Sequence, residues 1–191
     1  RFRTNVSPRT TGSLCGPHYT SPMDPNLFRL PPSSDVTRWT SGENRDAAPG
    51  AAAREHFGRK GAAHHPIPAG ATFVLADLKG SGTVRRFWIT IGDRSPEMLR
   101  GLVFRAYWDG EARPAVEAPF GDFFGIALGR FVPFENAWFA SPEGRSFTCR
   151  IPMPFRKGAR LTVTNESPKE LPHIFFDVNF TMGEDHGPDV A

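Results

Sequence analysis

The chain has 191 residues, which suits one domain of ordinary size with a short extra segment and is too short for a two-domain enzyme. Seventeen Phe and four Trp can fill a core, and 19 Gly with 19 Pro favour many short strands over long helices. The 23 basic and 20 acidic residues leave a net charge of +3 without a basic cluster, so the charge does not indicate nucleic-acid binding.

Local patterns argue against two further classes. Cys15 and Cys149 are far apart and in no paired spacing, which is not typical of a disulfide framework or a zinc site. No apolar run is long enough to span a membrane, and no charged-then-apolar signal opens the sequence. Because the first residue is Arg1, a leader could have been removed, and the compartment is not predicted.

The first third of the chain has little helix or strand signal. Residues 1–35 are rich in Pro, Ser, Thr and Arg without an apolar period, so we expect an extended or disordered arm. Residues 36–66 are expected to form a loop-rich lead-in, in which residues 51–57 suit one or two helical turns.

Strand signals follow in quick succession, separated by turn residues. Ser95, Pro96 and Gly101 are placed as the cap, first residue and exit of a short helix between two of them. Alternation puts Phe87, Ile89 and Ile91 on one face of a strand and Val84, Arg86 and Trp88 on the other. Strands are predicted at residues 71–78, 83–91, 102–108, around 116, and at 130–134, 146–151, 160–164 and 173–181.

The last of these strands has the clearest pattern. One face carries Ile174, Phe176, Val178 and Phe180, and the other carries His173, Phe175, Asp177 and Asn179. Eight or so short strands with almost no helix predict an all-β sandwich or barrel.

Four stretches from about Trp39 onward resemble glycoside hydrolase family 172. They are GRKGA with the following PAG…LADLKGSGTVRRFWIT, AYWDGEARPAVEAPFGDFFG, IPMPFRKGARLTVTNES, and the closing FFDVNFTMGEDHGPDV. Together they cover roughly three quarters of the chain in the family's order and spacing, which makes a chance match improbable.

The resemblance implies a fold and a class of substrate. Members of that family carry two jelly rolls in tandem, assemble as trimers or larger rings, and act on furanosides, including fructofuranosyl and arabinofuranosyl linkages. This chain resembles the first jelly roll alone. We therefore expect one jelly-roll sandwich of about eight antiparallel strands over residues 67–183, and a tail over 184–191 leading toward a second jelly roll that is missing from this sequence.

The resemblance also implies that catalytic residues are absent. The family's two catalytic glutamates lie in the second jelly roll, in stretches similar to GEGE and GTGTEDYF, and neither stretch occurs in this sequence. A retaining glycosidase needs two carboxyl groups about 5 Å apart. Glu117 and Asp122, on either side of a Pro-Phe-Gly turn, are the best local pair, although an exposed strand residue is the ordinary interpretation of Glu117.

The family resemblance favours a place near the substrate pocket for Asp122 and Phe123. Flanking glycines permit a tight backbone there, and a carboxylate beside aromatic rings suits a sugar. Asp122 could equally accept backbone N–H bonds within its own turn.

Other substrate-binding candidates are Trp88, Glu43 and Asn44. Trp88, like Trp108 and Trp138, could stack on a sugar ring, but a core or interface position is the alternative for each. Glu43 and Asn44 belong to a polar loop cluster with Arg45 and Asp46, where binding residues are frequent, although a solvated loop has the same composition.

No cofactor or metal is predicted. His64 and His65 are adjacent in extended chain, so their rings point in opposite directions, and no carboxylate or Cys spacing accompanies them or His56. No phosphate-binding loop, nucleophile elbow or Cys–His pair occurs.

Two functions are consistent with these patterns. The first is the N-terminal jelly roll of a furanoside-acting glycoside hydrolase, contributing oligomer contacts and part of the substrate pocket. The second is a noncatalytic structural or carbohydrate-binding module that assembles with itself. In both cases the expected partners are carbohydrate and further copies of the chain, as a homotrimer or higher ring, and not nucleic acid or membrane.

Overall fold

The computed structural model describes residues 30–55 and 57–187, of which those from Pro32 onward form one unit. Most of the predicted arm, Cys15, His56 and the last four residues of the predicted tail lie outside the described residues. The strands are β1 Val36–Ser41, β2 His65–Ile67, β3 Thr72–Lys79, β4 Gly82–Ile91, β5 Leu102–Trp108, β6 Val116–Pro119, β7 Phe134–Glu135, β8 Phe139–Ser141, β9 Ser146–Cys149, β10 Met153–Phe155, β11 Gly158–Asn165 and β12 Leu171–Met182.

Helical structure in this part of the chain is limited to short segments. Helix α1 spans Pro96–Gly101, and α2 is a single turn at Phe120–Phe123. Two 3-10 turns span Ala127–Gly129 and Pro142–Gly144. Among the described residues, no helix is both long enough and apolar enough to cross a membrane.

Two antiparallel sheets form a sandwich with jelly-roll strand order. The larger sheet has the order β1-β12-β4-β9 and continues through β8 to β7, while β2 pairs with β12 and β10 with β4. The smaller sheet has the order β3-β11-β5-β6. Numbered along the chain, the eight principal strands are therefore arranged 1-8-3-6 and 2-7-4-5, which is the order of a jelly roll. The predicted all-β jelly-roll sandwich is confirmed.

The core lies between the sheets and is mainly aromatic. Phe87 on β4 and Phe104 on β5 belong to opposite sheets, and their rings stack with centres 5.4 Å apart. Phe120 and Phe124, near α2, pack against Phe147 of β9 at 4.9 and 5.3 Å. The α2 turn thus covers the core at the point where β6 ends.

The predicted faces of β12 and β4 are confirmed with one exception. Ile174, Val178, Phe87 and Ile89 are fully buried between the sheets. Val84 was expected beside Arg86 and Trp88, but it is also fully buried. A bulge shifts the β12–β4 register between Asn179 and Phe180, and the extra residue turns Val84 inward.

Several other element predictions are confirmed. Ser95 caps α1, because its hydroxyl accepts the Met98 N–H at 3.3 Å, and Pro96 is the first helical residue. The strands predicted at 71–78, 83–91, 102–108, 160–164 and 173–181 correspond to β3, β4, β5, β11 and β12. The strand predicted at 146–151 ends at Cys149.

Two element predictions were wrong. Among the described residues of 51–57 there is no helix, because Ala53 and Phe57 have left-handed backbone angles of φ 54° and 63°. Residues 130–133 form no strand, and only Phe134 of that prediction belongs to one, β7. Pro133 cannot donate to a ladder, and Gly129 has φ 64°.

The lead-in segment contains strands that the sequence pattern did not reveal. Its first six residues are β1, which pairs with β12 from Val36↔Met182 to Ser41↔Asp177. Its last two residues begin β2, which pairs with the start of β12. Residues 42–55 and 57–63 between them form a long loop beside the outer face of the larger sheet, and several of them line a cleft.

Candidate functional site

The outer face of the larger sheet presents aromatic and charged side chains. Alternation along β12 directs Phe175, Asp177 and Asn179 away from the core, since Ile174, Phe176 and Val178 are buried. The register places Trp88 of β4 opposite Asp177, and Trp39 of β1 opposite Asn179. Cross-strand neighbours on one face lie about 5 Å apart, so these residues form one continuous surface.

A cleft of about 310 Å³ opens on this surface, between the strands and the long loop. Trp39 is half exposed at one side, and Trp88 is partly buried in its floor. The cleft is lined by Trp39, Ser41, Gly42, Glu43, Ala52, Ala53, Lys60, Ala63, Trp88, Phe175, Phe176 and Asp177. Of the predicted substrate-binding residues, the structure brings Trp88 and Glu43 together here.

Asp177 is the central charged group of this cleft. Arg86 donates from Nη1 to Asp177 Oδ1 at 3.0 Å and to Asn179 Oδ1 at 3.2 Å, and from Nη2 to Asp177 Oδ2 at 3.4 Å. Burial raises the pKa of Asp177, and the opposing charges of Arg86 and Lys60 do not fully offset that effect. A carboxyl group with a perturbed pKa in a cleft is a candidate for function.

Glu43 and Asn44 shape the loop that borders the cleft. Glu43 Oε1 accepts the backbone N–H groups of Gly61 and Ala62, which ties the start of the loop to its end. Asn44 is buried, and its side chain makes two 2.9 Å hydrogen bonds with the backbone of Ala48. Asn44 therefore stabilises a turn within the loop, and it does not line the cleft.

The chemistry of the cleft suits a sugar. The faces of indole and phenyl rings pack on the C–H groups of a sugar ring, and the exposed half of Trp39 offers such a face. The carboxylate of Asp177 can accept hydroxyl donors, while Lys60 can only donate. Acceptor, donor and aromatic surface thus meet in one concave site.

Phe123 and Asp122 lie elsewhere in the fold. Phe123 packs against Phe104 at 4.5 Å and Phe87 at 5.8 Å, on the inner side of β4, whereas the neighbouring Trp88 faces the outer side. Asp122, on α2, forms an ion pair with Arg100. Its Oδ1 is buried without a hydrogen-bond partner among the described residues. The structure does not bring these two residues together with Trp88 and Glu43.

Glu117 and Asp122 are paired with different arginines. Arg105 donates to Glu117 Oε2 and to Glu166 Oε1, both at 2.7 Å, on the outer face of the smaller sheet. Because Asp122 is held by Arg100, the two carboxylates do not share a common partner. This arrangement is typical of surface ion pairs.

Three cleft residues were missed by the sequence analysis. Trp39 lies in a segment that was expected to be loop. Lys60 belongs to the GRKGA stretch that carries the family resemblance, but it was not selected as a binding residue. Asp177 was recognised as facing away from the core, but nothing in the sequence pointed to its neighbours. The available signal was an acidic residue among apolar ones in a strongly alternating strand.

Among the described residues, the histidines and Cys149 are not arranged as a metal site. His64 packs edge-on against His173, whereas the ring of His65 hydrogen-bonds Gly42 and lies against Phe73. In the described ranges, no group of three or more His, Cys, Asp or Glu side chains is arranged to hold a metal ion. Burial raises the pKa of the Cys149 thiol to about 11, so it is protonated at neutral pH.

A second opening, of about 460 Å³, lies between the edge strands β1 and β3. Arg45 lines it, and its guanidinium lies 4.3 Å from the centre of the Phe73 ring and donates to the Val74 carbonyl. These contacts hold Arg45 against the core, which gives it a structural role. The lining of this opening includes no Trp side chain, so the outer cleft is the better candidate site for a sugar.

No curated protein matches the chain. A family model described as GH172 domain-like matches residues 60–177, a range that contains Trp88, Asp122, Phe123 and Asp177 and leaves out Trp39, Glu43 and Asn44. Since the match covers more than half of the 191 residues, the chain belongs to the GH172 domain-like family, which is related to glycoside hydrolases.

Proposed function

We propose that this chain is the N-terminal jelly roll of a furanoside-acting glycoside hydrolase and that its outer cleft forms part of the substrate pocket. The observation that carries the proposal is the position of Asp177, opposite Trp88 and in a cleft that Trp39 also lines. The substrate would be a fructofuranoside or arabinofuranoside, as the family resemblance implies.

The cleft fits a neutral sugar better than a charged ligand. Its acidic groups, Asp177 and Glu43, lie with the basic group Lys60, and Arg86 pairs with Asp177. A site with balanced charge gains little from a net charge on the ligand, while a neutral sugar can use both the acceptors and the donors.

The catalytic glutamates are proposed to lie outside this chain. Retaining hydrolysis needs one free carboxylate as nucleophile and a second carboxyl group as acid and base, about 5 Å apart. In the cleft, Asp177 is engaged by Arg86, and Glu43 accepts two backbone N–H groups of the loop. Both carboxylates are therefore held by neighbouring protein groups, which supports a positioning role for each.

Self-association is part of the same proposal. Members of the family that the sequence resembles form trimers or larger rings. Exposed apolar side chains mark contacts between chains where they join into one patch, and Trp138 and Val132, both between the 3-10 turn Ala127–Gly129 and β8, are 44% and 63% exposed. We expect the chain to sediment as a trimer or a higher ring. A monomer at micromolar concentration would contradict this part of the proposal.

Calorimetric titration of the 191-residue chain with methyl arabinofuranoside and methyl fructofuranoside tests the binding role. Trp88→Ala should weaken binding at least tenfold, because it removes the aromatic floor of the cleft. The matched control is Tyr107→Ala, which removes an aromatic side chain from the outer face of the other sheet and should bind like the wild type.

Hydrolysis measurements separate this proposal from its competitors. The chain alone should release no nitrophenol from nitrophenyl arabinofuranoside, and hydrolysis that is lost in Asp177→Asn would place catalytic groups in this chain. If the chain binds a furanoside without hydrolysing it, and a longer protein that contains the chain together with a second jelly roll is also inactive, the noncatalytic module would be favoured. Absence of binding to either furanoside would overturn the role of the cleft.

A further inference from the structure

The aromatic surface of the cleft continues beyond it along β12. The His64 ring lies edge-on to the His173 ring with centres 4.5 Å apart, and 5.2 Å from the ring of Phe175. Phe175 in turn lines the cleft. His64 and His173 are exposed, so the rings form a surface open to solvent.

The resulting strip is longer than a single sugar ring. His173, Phe175, Asp177 and Asn179 alternate along one face of β12, and the six residue steps from the first to the last extend about 20 Å. The strip begins at the His64–His173 pair, passes Phe175 and the Trp88–Asp177 pair, and ends where Trp39 faces Asn179.

Polar groups alternate with rings over this distance. Thr90 lies opposite Phe175, and Arg86 hydrogen-bonds both Asp177 and Asn179. Protein-binding surfaces have a core depleted of charged residues. A strip in which charged and amide groups lie between separate aromatic rings instead matches the alternating C–H faces and hydroxyl groups of consecutive sugar units.

We infer that this strip binds an extended neutral oligosaccharide, with one sugar unit in the cleft and further units along β12 toward His173. The inference rests on the proposed function, because it assumes that the cleft holds a sugar. It adds that the ligand is a chain of several sugar units and that His64 and His173 contact units outside the cleft.

Affinity as a function of ligand length tests the inference. Furano-oligosaccharides of one to six units would be titrated calorimetrically into the 191-residue chain. We expect the affinity to rise over the first few units and then level off, with at least a tenfold ratio between the longest and the shortest ligand.

Two variants locate the additional contacts. His64→Ala combined with His173→Thr should reduce the ratio between the affinities for the longest and the shortest ligand to near one. Threonine is used at position 173 because it suits a strand. His64→Ala alone, in an exposed segment before β2, should reduce the ratio partly and guards against failure of the double variant to fold. Tyr107→Ala should leave the ratio unchanged.

The possible results separate the strip from the cleft. A wild-type ratio near one, with single-unit binding that Trp88→Ala abolishes, would overturn the strip and leave the proposed function standing. A high ratio that neither histidine variant lowers would also overturn it, because the additional contacts would lie elsewhere. Absence of binding at every length would overturn both proposals.

Discussion

Asp177 lies directly opposite Trp88 in the β12–β4 ladder, and both residues line the same cleft on the outer face of the larger sheet. The carboxylate therefore belongs to a residue with a large aromatic cross-strand neighbour, and it is paired with Arg86. Burial favours the neutral acid and the arginine favours the carboxylate, and the net result is a raised pKa of Asp177.

The raised pKa of Asp177 predicts a pH-dependent loss of stability. Ionisation is less favourable in the folded protein than in the unfolded chain, where the pKa of an aspartate is about 3.9. The contribution of Asp177 to the free energy of unfolding should therefore decrease as pH rises through this ordinary value and level off above the raised one. Asp177→Asn removes the titration.

Urea denaturation of wild type and Asp177→Asn across the acidic range measures this effect. The free energy of unfolding of the wild type minus that of the variant should fall as pH rises, while Asp77→Asn, on the other sheet, corrects for general charge effects. A difference that rises with pH would mean that Arg86 outweighs burial.

Phe87 is expected to be the most sensitive contact between the sheets. It is fully buried and stacks on Phe104 of the opposite sheet. Phe87→Ala should lower the free energy of unfolding by about 3–5 kcal/mol, because a large cavity remains between the sheets. Chemical denaturation provides the value.

Phe87→Leu is the matched control for that change. Leucine retains most of the buried volume, so Phe87→Leu should lower the free energy of unfolding clearly less than Phe87→Ala does. Equal costs for the two variants would show that ring stacking, and not the cavity, dominates at this position.

Strands β3, β4, β5, β11 and β12 were predictable because buried and exposed residues alternate along most of their length. In β12 the pattern is so regular that the inward set, from Ile174 to Phe180, and the outward set could be assigned from the sequence. The buried position of Val84 could not be assigned from the sequence, because the bulge that turns it inward depends on the partner strand and leaves no local signal.

Strand β1 and the composition of the cleft were not predictable for a related reason. Only one of the six residues of β1 is buried, Thr40, so its strand character comes from pairing with β12 and not from its own pattern. Trp39, Trp88 and Asp177 lie far apart in sequence and meet only through register. Trp88 and Glu43 were identified by residue type, which carries no information about neighbours.

Asp109 is predicted to stabilise the end of the smaller sheet. Its Oδ1 accepts the backbone N–H groups of Arg156, Lys157 and Gly158 at 2.8, 2.6 and 3.2 Å. Asp109→Ala should lower the free energy of unfolding by about 1–3 kcal/mol, because three backbone N–H groups, one of them in a partly buried hydrogen bond, lose a charged acceptor. Asp109→Asn should lower the free energy of unfolding less than Asp109→Ala, since asparagine keeps an acceptor and tolerates the positive φ of 54°.

The same contacts give Asp109 a pH dependence opposite to that of Asp177. Although burial acts to raise it, the three N–H donors and the charge of Lys157 together hold the pKa of Asp109 below its ordinary value. Its contribution to stability is thus present above the ordinary value and lost as pH falls through the lowered one. The free energy of unfolding of the wild type minus that of Asp109→Asn should become smaller at acidic pH. A difference that becomes larger there would contradict the hydrogen-bond assignment.

Glu117 provides the test of whether the exposed carboxylates of this domain have a chemical role. It is held by Arg105, which Glu166 also binds, so Glu117→Gln leaves Arg105 with one charged partner. Exposed ion pairs contribute about 0–1 kcal/mol, and the change in the free energy of unfolding should stay below about 1 kcal/mol. Binding of methyl arabinofuranoside should be unchanged, because Glu117 lies on the outer face of the other sheet from the cleft. A loss of binding in Glu117→Gln, without a loss of stability, would move the sugar site to the smaller sheet and return Glu117 to the set of candidate functional residues.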